Sequence, residues 1–175
     1  MFLRSMRVRR KGFVRHGKQS EKICETIVRK CWNGKYFQTS LGHFSQFYTR
    51  DFGFCTDSLI RLGYKEWVKQ TLDHVLKTFT IGGAVTTSIS PDGMPFDFPY
   101  YGIDSLAWLL HSLVVSKSSR LVHGHKEFLE RELSKVATLL DEDGLVRPEV
   151  ALSSMKDHVK RKSSCYDACM LAHIK

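Results

Sequence analysis

Apolar side chains recur with helical spacing in four amphipathic stretches of the chain. Residues 20–32 begin with a serine that can cap a helix, and their apolar positions fall on one face, which predicts a helix. Residues 65–80 carry a similar stripe, directly after a helix predicted over 52–62 and its closing Gly63. This pair predicts an antiparallel hairpin. Residues 121–140 predict one further surface helix, charged on its outer face.

Two other segments are apolar on nearly every side. Residues 103–115 and 165–174 contain few charged positions, so each predicts a helix that is buried on most of its surface. Residues 35–48, rich in aromatic side chains, are expected to form a connecting loop or a short pair of strands. The pattern therefore predicts an all-α chain built from antiparallel helical hairpins.

The longest irregular segment is predicted over residues 81–102. It contains Gly-Gly, Thr-Thr-Ser and Pro-Asp-Gly sequences and then four aromatic side chains beside aspartates. Loops of this length within a compact domain are usually functional or disordered, and the aromatic content argues against disorder. Two interpretations remain open: the rings form a wall on which a sugar stacks, or they cover the ends of the helices.

Aspartates recur where apolar helices are expected to begin. Asp51 and Asp57 are predicted to begin helical segments, because the free N–H groups and the dipole at a helix N-terminus favour a carboxylate. The Asp-Ser-Leu sequence at 57–59 returns at 104–106, and a looser copy begins at Asp167. Such a return is typical of stacked helical hairpins. His111 is expected to be a hydrogen-bonded core residue rather than a ligand.

Three motifs together resemble a known group of enzymes. Thr-Arg-Asp-Phe at 49–52, Asp-Gly-Met-Pro at 92–95 and Gly-Ile-Asp-Ser-Leu-Ala-Trp at 102–108 resemble the (α/α)6-toroid glycoside hydrolases. The nearest members are glucoamylases, the amylo-1,6-glucosidase part of glycogen-debranching enzymes, and neutral invertases. The resemblance covers roughly residues 44–174, and it implies that residues 20–175 form part of an (α/α)6 toroid.

The chain is too short for a complete ring of this kind. Twelve helices of ordinary length and their connections need well over about 300 residues, whereas the sequence has 175. The resemblance therefore implies the N-terminal part of a toroid, truncated at its C-terminal end.

The resemblance also implies roles for particular residues. Asp104 matches the catalytic aspartate of the invertase-like Asp-Ser-x-x-Trp motif, which implies a general acid for hydrolysis of an α-glucosidic bond. Arg50 and Asp51 match the pair that grips sugar hydroxyls, and Tyr101 and Trp108 are expected to contact substrate. The alternatives are structural: Asp104 as a helix cap, Arg50 and Asp51 as a cap with an ion pair, and Trp108 as core filling.

The catalytic base of these enzymes has no counterpart here. In these enzymes the base is a glutamate from a helical hairpin late in the sequence. Glu149 is the only loop glutamate expected near the rim of the predicted ring, and it is left unassigned. The chain is therefore expected to bind an oligosaccharide or polysaccharide, with a second chain completing the toroid, and to need no cofactor or metal.

Positive charge is concentrated at the start of the chain. The formal net charge is +9, and the first 18 residues hold seven basic side chains and no acidic one. Residues 1–19 could bind RNA or anionic lipid, act as a transit peptide, or form a solvated tail. The solvated tail is favoured, because the segment lacks the interleaved aromatic side chains on which nucleic-acid bases stack. The alternative function is a non-catalytic helical-hairpin protein that pairs with another chain or binds nucleic acid through this segment. No apolar run suits a membrane helix, so a cytoplasmic location without membrane contact is expected.

The sequence contains five cysteines, which could bind a metal or be buried as thiols. Cys165 and Cys169 could share a helix face with His173, which is formally a metal triplet. Small buried thiols in a reducing compartment are the favoured interpretation of all five.

Overall fold

Helices dominate the structure. The computed structural model describes residues 6, 9, 10, 12, 19–98, 100–152, 161, 162 and 164–174. The helices within these residues are α1 (Ser20–Cys31), α2 (Thr49–Arg61), α3 (Lys65–Gly82), α4 (Ile103–Val115), α5 (Ser119–Gly124), α6 (Lys126–Ala137) and α7 (Cys165–Ile174). The strands are β1 (Phe47–Tyr48), β2 (Ser88–Ile89), β3 (Pro95–Phe96), β4 (Ala151–Leu152) and β5 (Arg161–Lys162). The prediction of a mainly helical chain is confirmed, and two small sheets are added to it.

Three helices, α2, α4 and α7, lie side by side and run in the same direction. Helix α4 packs against both of the others. Arg50, Asp104 and Tyr166, each from the first turn of its helix, meet at one end of this layer. Two turns further along, Asp57 of α2 meets His111 of α4. Contacts at matching distances from the helix starts require parallel axes.

A second layer of helices returns the chain between the members of the first. Helix α3 packs on α2 and α5, and α5 packs on α4 and α6. One face of α3 is buried almost completely, at Val68, Leu72, Val75, Leu76 and Phe79. Each of these side chains contributes about 1.5–3 kcal/mol when it leaves water, so this face is a large part of the core.

The hairpin between α2 and α3 is closed by a left-handed glycine. Gly63 has φ of +90°, and the N–H groups of Gly63 and Tyr64 donate to the carbonyls of Ile60 and Leu59. Glycine reaches this conformation without a Cβ penalty. The glycine break in the sequence was therefore sufficient to predict an antiparallel pair.

The prediction of one helix over residues 121–140 is wrong. The chain forms two helices there, because His125 leaves the helical conformation with φ −119° and ψ 23°. The His125 ring nitrogen Nδ1 lies 2.8 Å from the hydroxyl oxygen of Thr80 on α3. This contact fixes the break and turns α6 toward the loop after α3.

The segment predicted as irregular contains part of a small antiparallel sheet. Strands β1, β2 and β3 pair in that order, with Phe47 opposite Ile89 and Ser88 opposite Phe96. The sheet ties residues 81–102 to the start of α2. Strands β4 and β5 form a second antiparallel pair.

Helix α1 attaches to the second layer through stacked indoles. The rings of Trp32 and Trp67 are 5.1 Å apart and nearly parallel. Most of the basic segment over residues 1–19 lies outside the described residues, as does the stretch 153–160.

Candidate functional site

Asp104 is the centre of the candidate site. It occupies the first turn of α4, and its side chain is 0% exposed. Arg50 donates from Nε to Asp104 Oδ2 over 2.5 Å, and the Tyr166 hydroxyl donates to the same oxygen over 3.0 Å. One carboxylate thus joins the first turns of α2, α4 and α7. Sequence reasoning missed Tyr166, although it stands beside the Asp167 of the third Asp copy.

Several buried polar atoms around Gly102 lack a partner among the described residues. They include Asp104 Oδ1, Ser105 Oγ and Tyr101 OH. A Cβ built on Gly102 would lie 3.1 Å from Asp104 Oδ1, 3.2 Å from Thr87 Oγ1 and 3.5 Å from Ser105 Oγ. Unpaired buried polar atoms are costly, and because these three atoms are closed off from solvent, a polar ligand can reach them only if the covering side chains move.

Asp97 supplies a second carboxylate close to Asp104. It accepts hydrogen bonds from Thr87, over 2.7 Å from the backbone N–H and 2.8 Å from the hydroxyl. Burial raises the pKa of Asp97, the bonds from Thr87 partly offset the rise, and the charges of Asp104 and Glu132 add to it. The site therefore contains a carboxyl group that holds its proton more readily than an ordinary aspartate.

Two partly buried phenols lie near these carboxylates. Burial, followed by the charges of Glu132 and Asp97, raises the pKa of Tyr101. Burial is also the main cause that raises the pKa of Tyr166 to about 12. Both hydroxyls are consequently neutral donors at neutral pH.

Trp108 lies one turn after Asp104 and links the site to aromatic neighbours. Its indole N–H donates to the Tyr166 hydroxyl over 3.4 Å, and its ring centroid is 4.2 Å from that of Phe54. Trp108 is half-buried. It is placed beside Asp104 and also fills space between α2 and α4.

Glu132 holds the loop that precedes β2. Its side chain is 0% exposed, with Oε2 accepting from the Val85 N–H over 2.9 Å and Oε1 accepting from Lys135 Nζ over 2.5 Å. Glu132 thereby fixes the segment that carries Thr87. The prediction for residues 121–140 was a helix with a charged outer face, and it did not single out Glu132.

A second polar group lies two turns along the same layer. His111 Nε2 is 2.8 Å from Asp57 Oδ2, and the ring of His173 is 5.1 Å from that of His111. Asp57 is therefore a polar contact between helices, and His111 has the hydrogen bond that was expected of it.

Asp51 lies apart from the other candidate residues. It is exposed and lines a groove of about 330 Å³ between α1 and α2, together with Ile27 and Cys55. Successive helical residues point about 100° apart, so Arg50 can reach Asp104 while Asp51 points to this groove. The structure brings Arg50, Tyr101, Asp104 and Trp108 together and leaves Asp51 outside.

The expectation of five buried thiols is wrong. Only Cys31 is buried, whereas Cys24, Cys55, Cys165 and Cys169 are exposed, and all five are free. Within the described part of the chain, no three His, Cys, Asp or Glu side chains are arranged to hold a metal ion.

Comparison with known proteins gives no relatives. No family model, curated protein or solved structure matches the chain. Among the helices that the structure describes, none has the length and apolar character needed to cross a membrane.

Proposed function

We propose that the chain is a glycoside hydrolase-like protein of carbohydrate metabolism, acting on α-glucosidic bonds of an α-glucan or oligosaccharide. One observation carries the proposal. Arg50 and Tyr166, from the first turns of two helices, both donate to the carboxylate of Asp104, in the first turn of a third parallel helix. Inverting hydrolysis of a glycosidic bond needs a carboxylic acid and a second carboxylate that activates water, both at one rim.

The arrangement of the helices supports the proposal. Helices α2, α4 and α7 form one layer, while α3, α5 and α6 return the chain between them. A part of an (α/α)6 toroid has this alternation of inner and outer helices. The proposed fold is therefore a segment of such a ring, with Asp104 at its mouth.

The chemistry of the oxygen atoms around Gly102 also favours a sugar. The unpaired Asp104 Oδ1, Ser105 Oγ and Tyr101 OH supply acceptors and donors in fixed directions, and a polyol can satisfy both kinds. Arg50 and Tyr166 cover the carboxylate, so a sugar hydroxyl reaches Asp104 when one of these side chains turns aside.

Asp104 is the proposed general acid. Because Arg50 pairs with the Asp104 carboxylate and a neighbouring cation favours the ionised form, this role requires Arg50 to leave Asp104 when substrate binds. Asp97 is a further carboxyl group for proton transfer, since burial raises its pKa and a general acid must hold its proton at the working pH. A positioned acid contributes roughly 10²- to 10⁴-fold in rate. The carboxylate that activates water is assigned to a second chain that completes the ring.

Sugar binding by the full chain tests the proposal. The purified chain is titrated with maltoheptaose, isomaltotriose and sucrose while tryptophan fluorescence and heat are recorded. We expect saturable binding near the millimolar range, equivalent to roughly 4 kcal/mol, to at least one sugar. Asp104→Asn is expected to weaken it.

A matched variant controls for charge. Asp73→Asn removes an exposed carboxylate that pairs with Lys77 on α3, and it should leave binding unchanged. Absence of saturable binding to every sugar, or equal weakening by both variants, overturns the proposal. Retention on heparin but not on starch would instead support the nucleic-acid alternative.

A further inference from the structure

A cavity outside the candidate site has more cationic than anionic side chains in its lining. It has a volume of about 720 Å³ and lies between the loop after α1, the outer face of α3 and the turn between α4 and α5. Five cations line it, and only two carboxylates do so. The charged lining residues are Lys35, Glu66, Lys69, Asp73, Lys77, Lys117 and Arg120.

The two carboxylates are already paired on α3 itself. Glu66 lies 3.4 Å from Lys69, and Asp73 lies 2.6 Å from Lys77. The other three cations, Lys35, Lys117 and Arg120, make no ion pair with any residue that the structure describes. Three unpaired positive charges from two separate segments therefore face one cavity.

The backbone holds two of these cations in position. Lys117 has φ of +56°, and this is the one non-glycine residue with positive φ in the described ranges. The N–H groups of Lys117 and Ser118 donate to carbonyls near the end of α4, and the buried Ser118 hydroxyl lies 2.7 Å from that of Ser116. On the opposite side, the Asn33 side chain accepts from the N–H of Lys35.

A neighbouring histidine reports the electrostatic environment of the cavity. His74 is half-buried in its wall. Burial is the main cause that lowers the pKa of His74, and the positive charges of Lys35 and Lys77 lower it further against the opposing effect of Asp73. Burial disfavours a charge of either sign on the ring, and the two lysines make a smaller contribution against an additional positive charge.

We propose that this cavity binds a small molecule that carries two or more phosphate groups. A single phosphate can satisfy one or two cations, whereas Lys35 and the pair Lys117 and Arg120 come from two separate segments that line a cavity of about 720 Å³. Charge-assisted contacts of Lys and Arg with phosphate oxygens are among the stronger hydrogen bonds in proteins. The lining contains no aromatic ring besides that of His74, so the phosphates rather than a stacked base provide the recognition.

Calorimetric titration of the full chain with tripolyphosphate and with ATP tests this site. Tripolyphosphate should bind saturably, and its affinity should fall about tenfold with either Lys35→Gln or Arg120→Gln, the loss expected for one contact to a charged group. Lys117→Gly should weaken binding similarly without unfolding the chain, because glycine adopts positive φ readily. Binding of ATP with similar affinity supports recognition of the phosphates alone, and tighter binding of ATP supports a nucleotide as the natural ligand.

The basic N-terminal segment requires its own control. The paired change Arg9→Gln with Arg10→Gln removes two exposed charges from that segment, and Lys30→Gln removes one from α1. Neither should change the affinity by more than about twofold, since a specific site loses affinity only when its own contacts are lost. The proposal is overturned if tripolyphosphate fails to bind at millimolar concentration, or if these controls weaken binding as much as the cavity variants do.

Discussion

Gly53 lies directly against Trp108, where α2 crosses closest to α4. A Cβ built on Gly53 would lie 2.5 Å from Trp108 Cβ and 2.9 Å from its Cγ. Contacts this short are not tolerated between carbon atoms. The absence of a side chain at Gly53 therefore sets how near α2 can approach α4, and so how Arg50 reaches Asp104.

The change Gly53→Ala should destabilise the protein. In an exposed helix interior the same change would stabilise by about 1 kcal/mol. Here the new methyl group forces α2 and Trp108 apart, and overpacking of this kind costs typically about 1–3 kcal/mol. Thermal unfolding followed by circular dichroism should give a lower Tm.

The helix-end glycine Gly124 provides the matched control. A Cβ added there meets no heavy atom within 4 Å, so Gly124→Ala should leave Tm unchanged or raise it. An unchanged or higher Tm in Gly53→Ala would mean that the two helices do not pack as closely as the structure shows.

Removing one partner of the ion pair between Arg50 and Asp104 should be costly because the pair is buried. Its side chains are 13% and 0% exposed, so Arg50→Gln leaves a buried carboxylate without its cation. Loss of one partner from a buried pair costs about 3–5 kcal/mol. Urea unfolding should therefore show a large loss for Arg50→Gln and a smaller loss for the double variant with Asp104→Asn.

An exposed pair gives the comparison for this cycle. Asp73 and Lys77 are 42% and 62% exposed, and Asp73→Asn should cost no more than about 0.5 kcal/mol. If Arg50→Gln costs as little as Asp73→Asn, the pair is solvated in solution and the buried geometry is incorrect.

The Asp-Ser-Leu repeat indicates stacked helices but does not give the register between them. Matching the two Asp-Ser-Leu copies aligns Asp57 with Asp104, whereas the structure places Arg50 beside Asp104 and Asp57 beside His111. The shift is seven residues, close to two helical turns, so the same helix faces still meet. The periodicity of apolar residues predicts which face of a helix is buried. The register between two neighbouring helices depends on how their side chains pack, which periodicity does not show.

The partners of Asp104 depended on contacts across long sequence separations. Tyr166 is 62 residues from Asp104, and no local pattern marks a tyrosine as the donor to a particular carboxylate. Asp97 stands in a segment predicted as irregular, where the pairing of β2 with β3 brings it to Thr87. Arg50 and Asp104 could be named as candidate site residues from the sequence, because each is a charged side chain at the start of an apolar helix.

The partly buried carboxyl of Asp97 should make stability depend on pH. Burial raises the pKa of Asp97, so the folded state binds its proton more tightly than the unfolded state does. This contribution is present below the unfolded pKa of about 3.9 and is lost as the pH rises through the higher folded value. Asp97→Asn cannot ionise and can still accept from Thr87, so its stability relative to the parent should increase between about pH 4 and pH 7.

Urea unfolding of both proteins across this pH range measures the difference. Asp73→Asn, which alters an exposed carboxylate, should show a smaller change with pH because water screens its charge. A difference between Asp97→Asn and the parent that is constant or decreases with rising pH would contradict the burial of this carboxyl.

The exposure of the thiols should be visible in their reaction with a disulfide reagent such as 5,5′-dithiobis(2-nitrobenzoate). Four thiols are exposed and Cys31 is buried, so four should react in the native protein and the fifth only after denaturation. Cys55 and Cys169 should react slowly among the exposed thiols, because the thiolate is the reactive form. Burial and then the charge of Asp51 raise the pKa of Cys55, and the neighbouring Cys165 raises the pKa of Cys169. The variant Cys31→Ser should still show four native thiols, whereas Cys24→Ser should show three. Reaction of all five thiols without denaturant would mean that the packing around Cys31, at the end of α1, is open in solution.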